Sequence, residues 1–277
     1  MFREVGNLYA RAFRMIFQYP IFIYLSALYY LYRLIHAAAS YAVSADVLLL
    51  LRWIDLIVGS FLLFGIPIVF ILMILREGEL TGFKGLVGEA KKYFWKYIGQ
   101  SFMGMILAFV FTLPLFFVFL LIYVFEQNIL PSLAWWFIFG YLGLGSVLLG
   151  SQFLIDEKNG LFKNSMNGLR MLNGHFRFFA ALYTVQTLIY VLRFSLRILL
   201  GSSITGFDLT SIPTSSLSLF TEALNAATRT PIVFVYDFAV GTFLYPLGYI
   251  VISLAYLRYK NHASLSRAVP QSAPTEN

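Results

Sequence analysis

The sequence predicts an all-α fold, a polytopic transmembrane helical bundle of six spans, and three observations carry that prediction. Hydrophobic residues make up 60% of the chain and charged residues 12%, with a mean hydropathy of +0.78. A soluble domain has about 45–50% apolar and about 25% charged residues. The apolar residues also gather into runs of about 20 or more, long enough to cross a hydrocarbon core about 30 Å thick at about 1.5 Å per helical residue. Finally, the basic residues fall mostly into every second connection between those runs.

Before the first span, the stretch MFREVGNLYARAFRMIFQYP lacks the apolar core and small-residue cleavage site of a secretory signal, so the first span is expected to be retained. The spans then fall at 19–39, 47–75, 98–124, 131–155, 177–200 and 231–257. Arg3, Arg11 and Arg14 precede the first. Arg76, Lys84, Lys91, Lys92 and Lys96 follow the second, Lys158, Lys163, Arg170 and Arg177 follow the fourth, and Arg258, Lys260 and Arg267 follow the sixth. The opposite side holds Arg33, Arg52, Arg193, Arg197 and Arg229. The positive-inside rule then puts both termini in the cytoplasm of a cell-membrane protein. The net charge of +7 is read as that topology signal rather than as a nucleic-acid surface. Trp53, Trp135 and Trp136 near outer ends and Trp95 near an inner end suit an aromatic belt.

Each odd-numbered span follows a cytoplasmic amphipathic stretch. Phe2, Val5, Leu8, Ala12 and Ile16 share one helical face, as do Phe83, Leu86, Ala90, Tyr93 and Tyr97; Leu161, Met166, Leu169 and Leu172 make a looser third. These stretches align at a constant offset of 78 residues. Arg14, Lys92 and Arg170 correspond, as do Ala12, Ala90 and Gly168, and Tyr19, Tyr97 and His175. The expected plan is three helical-hairpin repeats, at about 1–78, 79–156 and 157–260, within one membrane domain (1–260), followed by a disordered cytoplasmic tail at 261–277. Glycines and serines in the second, fourth and sixth spans, among them Gly59, Gly145, Gly150 and Gly241, predict that these helices are central, because small side chains let helices approach closely in lipid. Pro67 and Pro246 are expected to shape packing there.

Two stretches, DEKNGLFKNSMNGLRMLNGHFRFFAAL (Asp156 to Leu182) and YPLGYIVISLAYLRYK (Tyr245 to Lys260), resemble the membrane domain found ahead of some bacterial glycerophosphoryl diester phosphodiesterases, and related six-span proteins of unknown function. The resemblance implies six helices and carries over no catalytic residue. The stretch 261–277 is too short for a phosphodiesterase barrel, so that activity is not implied.

The chain has no cysteine, which excludes disulfides and thiolate chemistry. His36, His175 and His262 are too dispersed for a metal centre. Hydrolase, metalloprotease and phosphate-loop motifs are missing, so no enzyme and no cofactor are expected. Asp156 and Glu157 read as a solvated helix start.

One polar feature remains. In LIYVLRFSLRILL (Leu188 to Leu200), Arg193 and Arg197 stand one turn apart in the fifth span. Arg193 lies about 22 Å along that helix, roughly 8 Å short of the outer surface. Asp237, early in the sixth span, is its expected partner. The first repeat offers a similar set, Arg33 and His36 late in one span and Arg52 and Asp55 early in the next. Three readings stand: Arg193–Asp237 and Arg33–Asp55 ion pairs that latch hairpins at an outer mouth, arginines that simply snorkel to the outer surface, or a site for a lipid head group or another anion formed by the excess arginines. The loop at 201–230 is expected to cover that mouth with an interfacial helix carrying Leu217, Phe220, Leu224 and Ala227. The function expected is a non-catalytic lipid-interacting scaffold or regulatory partner of another protein, in the membrane or at its cytoplasmic face. The alternatives are a permease or a lipid or small-molecule transporter and, less in keeping with the residues, an integral-membrane enzyme.

Overall fold

The computed structural model describes residues 1–42, 45–76, 82–126, 130–157, 159–205 and 230–268. Every regular element among them is helical: α1 (Phe2–Gln18), α2 (Ile21–Ala42), α3 (Ala45–Ile54), α4 (Ser60–Leu75), α5 (Gly82–Glu126), α6 (Leu130–Gly143), α7 (Gly150–Glu157), α8 (Leu161–Gly174), α9 (Phe176–Thr205) and α10 (Pro231–Ala268). Two π-helical segments, Asp55–Gly59 and Leu144–Leu149, join α3 to α4 and α6 to α7. The loop helix expected around Leu217, Phe220, Leu224 and Ala227 lies outside the described residues. At the C-terminal end, α10 continues to Ala268, into the stretch expected as a disordered tail.

Six helical stretches are long and apolar enough to cross a membrane: Ile21–Ala39, Leu49–Leu75, Phe83–Ile122, Leu133–Glu157, Phe176–Ser203 and Pro231–Lys260. Their burial alternates. Half or more of the apolar window is buried in the second, fourth and sixth (50%, 56% and 56%), against 17% in each of the others. The small-residue spans are therefore the more buried ones.

Where helices end follows local chemistry. Pro20 disfavours helical backbone at Tyr19, whose φ of −121° and ψ of 84° close α1. His175, after Gly174, leaves the helix at φ −123° and ψ 37° and separates α8 from α9. No proline falls between Phe83 and Gln100, and α5 runs unbroken for 45 residues. The second interfacial stretch and the third span are thus one helix, not the two segments expected. Pro67, Pro114 and Pro246 lie within α4, α5 and α10 without ending them.

The chain forms two compact units, Met1–Phe70 with Ala180–Tyr249, and Ile71–Phe179 with Ile250–Asn277. Their boundaries fall inside α4, α9 and α10 rather than at the edges of the expected repeats. In the first unit α1 buries Val5, Leu8, Ala12, Met15 and Ile16, while Phe2 is exposed. Phe22 meets Phe70 edge-on at 5.0 Å, and Tyr245 stacks on Tyr29 at 5.3 Å while donating to the Leu63 carbonyl at 3.3 Å.

The second unit packs around a polar seam. Gln100 is wholly buried and donates to Ser165 Oγ at 2.5 Å and to the Ser146 carbonyl at 3.2 Å. Ser146 donates to the Gly104 carbonyl at 2.8 Å. The side of α8 that packs inward holds Asn164, Ser165, Gly168 and Leu172. Of the four residues expected on its apolar face, only Leu172 is buried; Leu161, Met166 and Leu169 are half-exposed. The reason is steric and polar together: Gly168 lies directly against the Gly145 backbone, and Ser165 faces the Gln100 amide. Trp135 is buried against Phe109, Phe116 and Phe139, whereas Trp53, Trp95 and Trp136 are exposed.

Candidate functional site

The first unit brings four of the seven residues singled out in the sequence to one cavity of about 240 Å³. α2 supplies Tyr29, Tyr30 and Arg33, α9 supplies Arg193 and Arg197, and α10 supplies Asp237. Arg193, Arg197 and Asp237 are drawn together by one carboxylate. Arg193 Nη2 donates to Asp237 Oδ1 at 3.1 Å, and Arg197 Nε lies 3.1 Å from Oδ2. The second contact is an ion pair whose N–H is not aligned on the oxygen.

Arg193 is held from three directions. Its Nη1 donates to Tyr30 Oη at 3.3 Å, its guanidinium carbon sits 5.6 Å from the Tyr30 ring centre, and its main-chain carbonyl accepts from Tyr236 at 3.1 Å. Tyr30 has room because Gly241 of α10 faces it: any Cβ there would fall on the tyrosine ring. Arg33 lies at the exposed rim, beside Tyr29. An arginine stretched along apolar side chains with its head near a polar boundary is tolerable in lipid. Here the carboxylate and the tyrosine hydroxyl each accept one bond from the Arg193 head.

The other three residues are placed differently. Asp55 accepts from Tyr32 at 3.1 Å, so the expected Arg33–Asp55 latch gives way to a Tyr32–Asp55 bond. Residues 32 and 33 lie about 100° apart around the helix; the one that faces Asp55 leaves the other turned to the arginine cavity. Asp55 opens the π segment, and a Cβ at Gly59 would lie 2.8 Å from its Oδ1. His36 meets the Leu51 carbonyl at 3.2 Å, and Arg52 is exposed. Tyr30, Tyr29 and Tyr236 complete the site and were not singled out in the sequence. Their signal was faint, since the chain holds 18 tyrosines and only spacing from Arg33 and Asp237 distinguishes these.

A larger cavity of about 680 Å³ in the second unit is lined by Lys92, Trp95, Lys96 and Gly160. Lys92 there already pairs with Glu89 at 2.6 Å. Lys96 lines it too, so both cavities carry an excess of cations; the arginine cavity differs in that its cations are guanidinium groups, two of them gathered on one carboxylate. No protein-family model, no curated protein and no solved structure matches the chain.

Proposed function

We propose that the chain is a non-catalytic multi-pass protein of the cell membrane that holds an anionic lipid head group, acting as a lipid-interacting scaffold or as a regulatory partner of another membrane protein. One observation carries this reading. Three guanidinium groups and a single carboxylate line one cavity among helices built to cross lipid. Guanidinium forks match phosphate oxygens in geometry as well as charge.

The finer architecture belongs to the same proposal. Both termini face the cytoplasm, and three repeats, each an interfacial helix and a two-span hairpin, are related by rotation about the membrane normal. Two features support it. The α1 and α8 helices end at Tyr19 and His175, which stand two 78-residue offsets apart, and burial of the spans alternates through all three pairs. The unbroken α5 would be a repeat in which the joint has closed into helix. In this plan the chain is similar to the membrane domain that precedes bacterial glycerophosphoryl diester phosphodiesterases, supported by Asp156–Leu182 and Tyr245–Lys260.

The test is lipid carried through purification. Wild-type protein extracted in mild detergent should bring anionic phospholipid into native mass spectra, and the Arg193→Ala, Arg197→Ala double variant should lose it. Retention of the same lipid by the double variant would exclude the site.

A further inference from the structure

We infer that the arginine cavity is matched in charge to a dianion, and so selects a phosphomonoester over the phosphodiester of an ordinary phospholipid. This rests on the anionic head-group reading above and names its ligand class. Among the described residues that line the cavity, Arg33, Arg193 and Arg197 carry +3 and Asp237 carries −1, leaving +2. The side chains of Arg193, Asp237 and Arg197 expose only 17%, 17% and 30% of their surface, so water screens these three weakly, whereas Arg33 adds its charge from the exposed rim.

At the ends of membrane helices, an unbalanced charge of +2 is most cheaply neutralised by a ligand of −2. A phosphodiester brings −1 and leaves one guanidinium uncompensated. A phosphomonoester, with its second pKa of about 6, brings close to −2 at neutral pH. The donors fit it too. Each Asp237 oxygen meets one arginine, which holds the two guanidinium groups side by side on the cavity wall. The Tyr30 hydroxyl accepts from Arg193, which leaves its own hydrogen to give. Arg33, exposed at the rim, is placed to fold onto a bound group. With about 240 Å³, the cavity lies below the usual range of about 300–1,000 Å³ for small-molecule pockets. That suits a terminal phosphate better than a polyol head group.

The phosphate could belong to a lipid or be free in solution, and the experiment separates the two. Delipidated full-length protein is titrated by native mass spectrometry with dioctanoyl phosphatidic acid, dioctanoyl phosphatidylglycerol and inorganic phosphate at pH 7.5 and pH 5. Phosphatidic acid should bind about tenfold tighter than phosphatidylglycerol at pH 7.5, and the preference should collapse at pH 5, where the monoester has lost its second charge. Arg33→Gln, which lowers the excess to +1, should erase the preference, and Arg33→Lys should keep it. Phosphate binding as tightly as phosphatidic acid would support the dianion match and assign it to a soluble ion. Equal binding of both lipids would overturn the dianion match and leave the head-group reading intact, whereas no binding of any probe would overturn both.

Discussion

Asp237 is shared: one carboxylate oxygen meets Arg193 at 3.1 Å across 44 residues of chain, and the other meets Arg197 at the same distance. Removing the acid therefore strands two guanidinium groups that face each other in a poorly solvated site. Asp237→Leu should cost about 3 kcal/mol, the lower end for breaking a buried pair, because Arg197 retains some access to water. Arg193→Leu should cost less. The double variant should be more stable than the sum of the two by about 1–3 kcal/mol, read from melting in detergent. Additive losses would show that the contact contributes nothing.

Glycine contacts in the second unit give a sharper steric test. A methyl group at Gly168 would overlap the Gly145 oxygen and lie 2.8 Å from the Gly150 nitrogen, both backbone atoms that cannot rotate away. Gly168→Ala should push α8 off its partner helices and destabilise by at least about 1–3 kcal/mol, seen as a lower melting temperature and broadened size-exclusion profile. Gly88→Ala, on α5 with nothing within 4 Å, is the matched control. It should be neutral or gain up to about 1 kcal/mol from helix propensity.

These two sites show where the sequence was readable and where it was not. Span positions followed from apolar length, and the more buried spans from Gly59, Gly145, Gly150 and Gly241, because both are one-dimensional properties of composition. Arg193–Asp237 was readable because a charge inside a long apolar run has few partners. Arg33–Asp55 failed because adjacent residues on a helix point about 100° apart, and spacing alone could not choose between Tyr32 and Arg33. The α8 helix was misread for a related reason. An apolar-face count assumes that apolar side chains turn inward, whereas α8 turns Asn164, Ser165 and Gly168 inward to meet Gln100 and Gly145. Gln100, a lone amide between Gly99 and an apolar run, was the available clue. The π segments had no periodic signature at all.

Tyr256 offers a third test, in the second unit. Its ring is fully buried at 4.9 Å from Phe153, and its hydroxyl donates to Asp156 Oδ2 at 2.8 Å, an oxygen that Lys260 also reaches. A hydrogen bond to a charged acceptor contributes about 1.5–3 kcal/mol. Tyr256→Phe should lose about 1.5 kcal/mol, since Lys260 remains on the carboxylate. Lys260→Met in the same background should cost more than it does alone. Equal costs in both backgrounds would mean that the two donors do not share Asp156.

Topology can be read directly because the chain has no cysteine of its own, so any introduced thiol is unique. Arg3, Lys163 and Ser203 are exposed and sit at α1, at the start of α8 and near the end of α9. If the basic connections face the cytoplasm, Arg3→Cys and Lys163→Cys should react with an impermeant maleimide only after the membrane is opened. Ser203→Cys should react in intact cells, because the span Phe176–Ser203 separates it from Lys163. The cost of holding several lysines and arginines on the wrong side sets this orientation, so all three positions should respond as a group. Labelling of Lys163→Cys and Ser203→Cys from the same side would mean that α9 does not cross, and the outer-mouth assignment of the arginine cavity would fall with it.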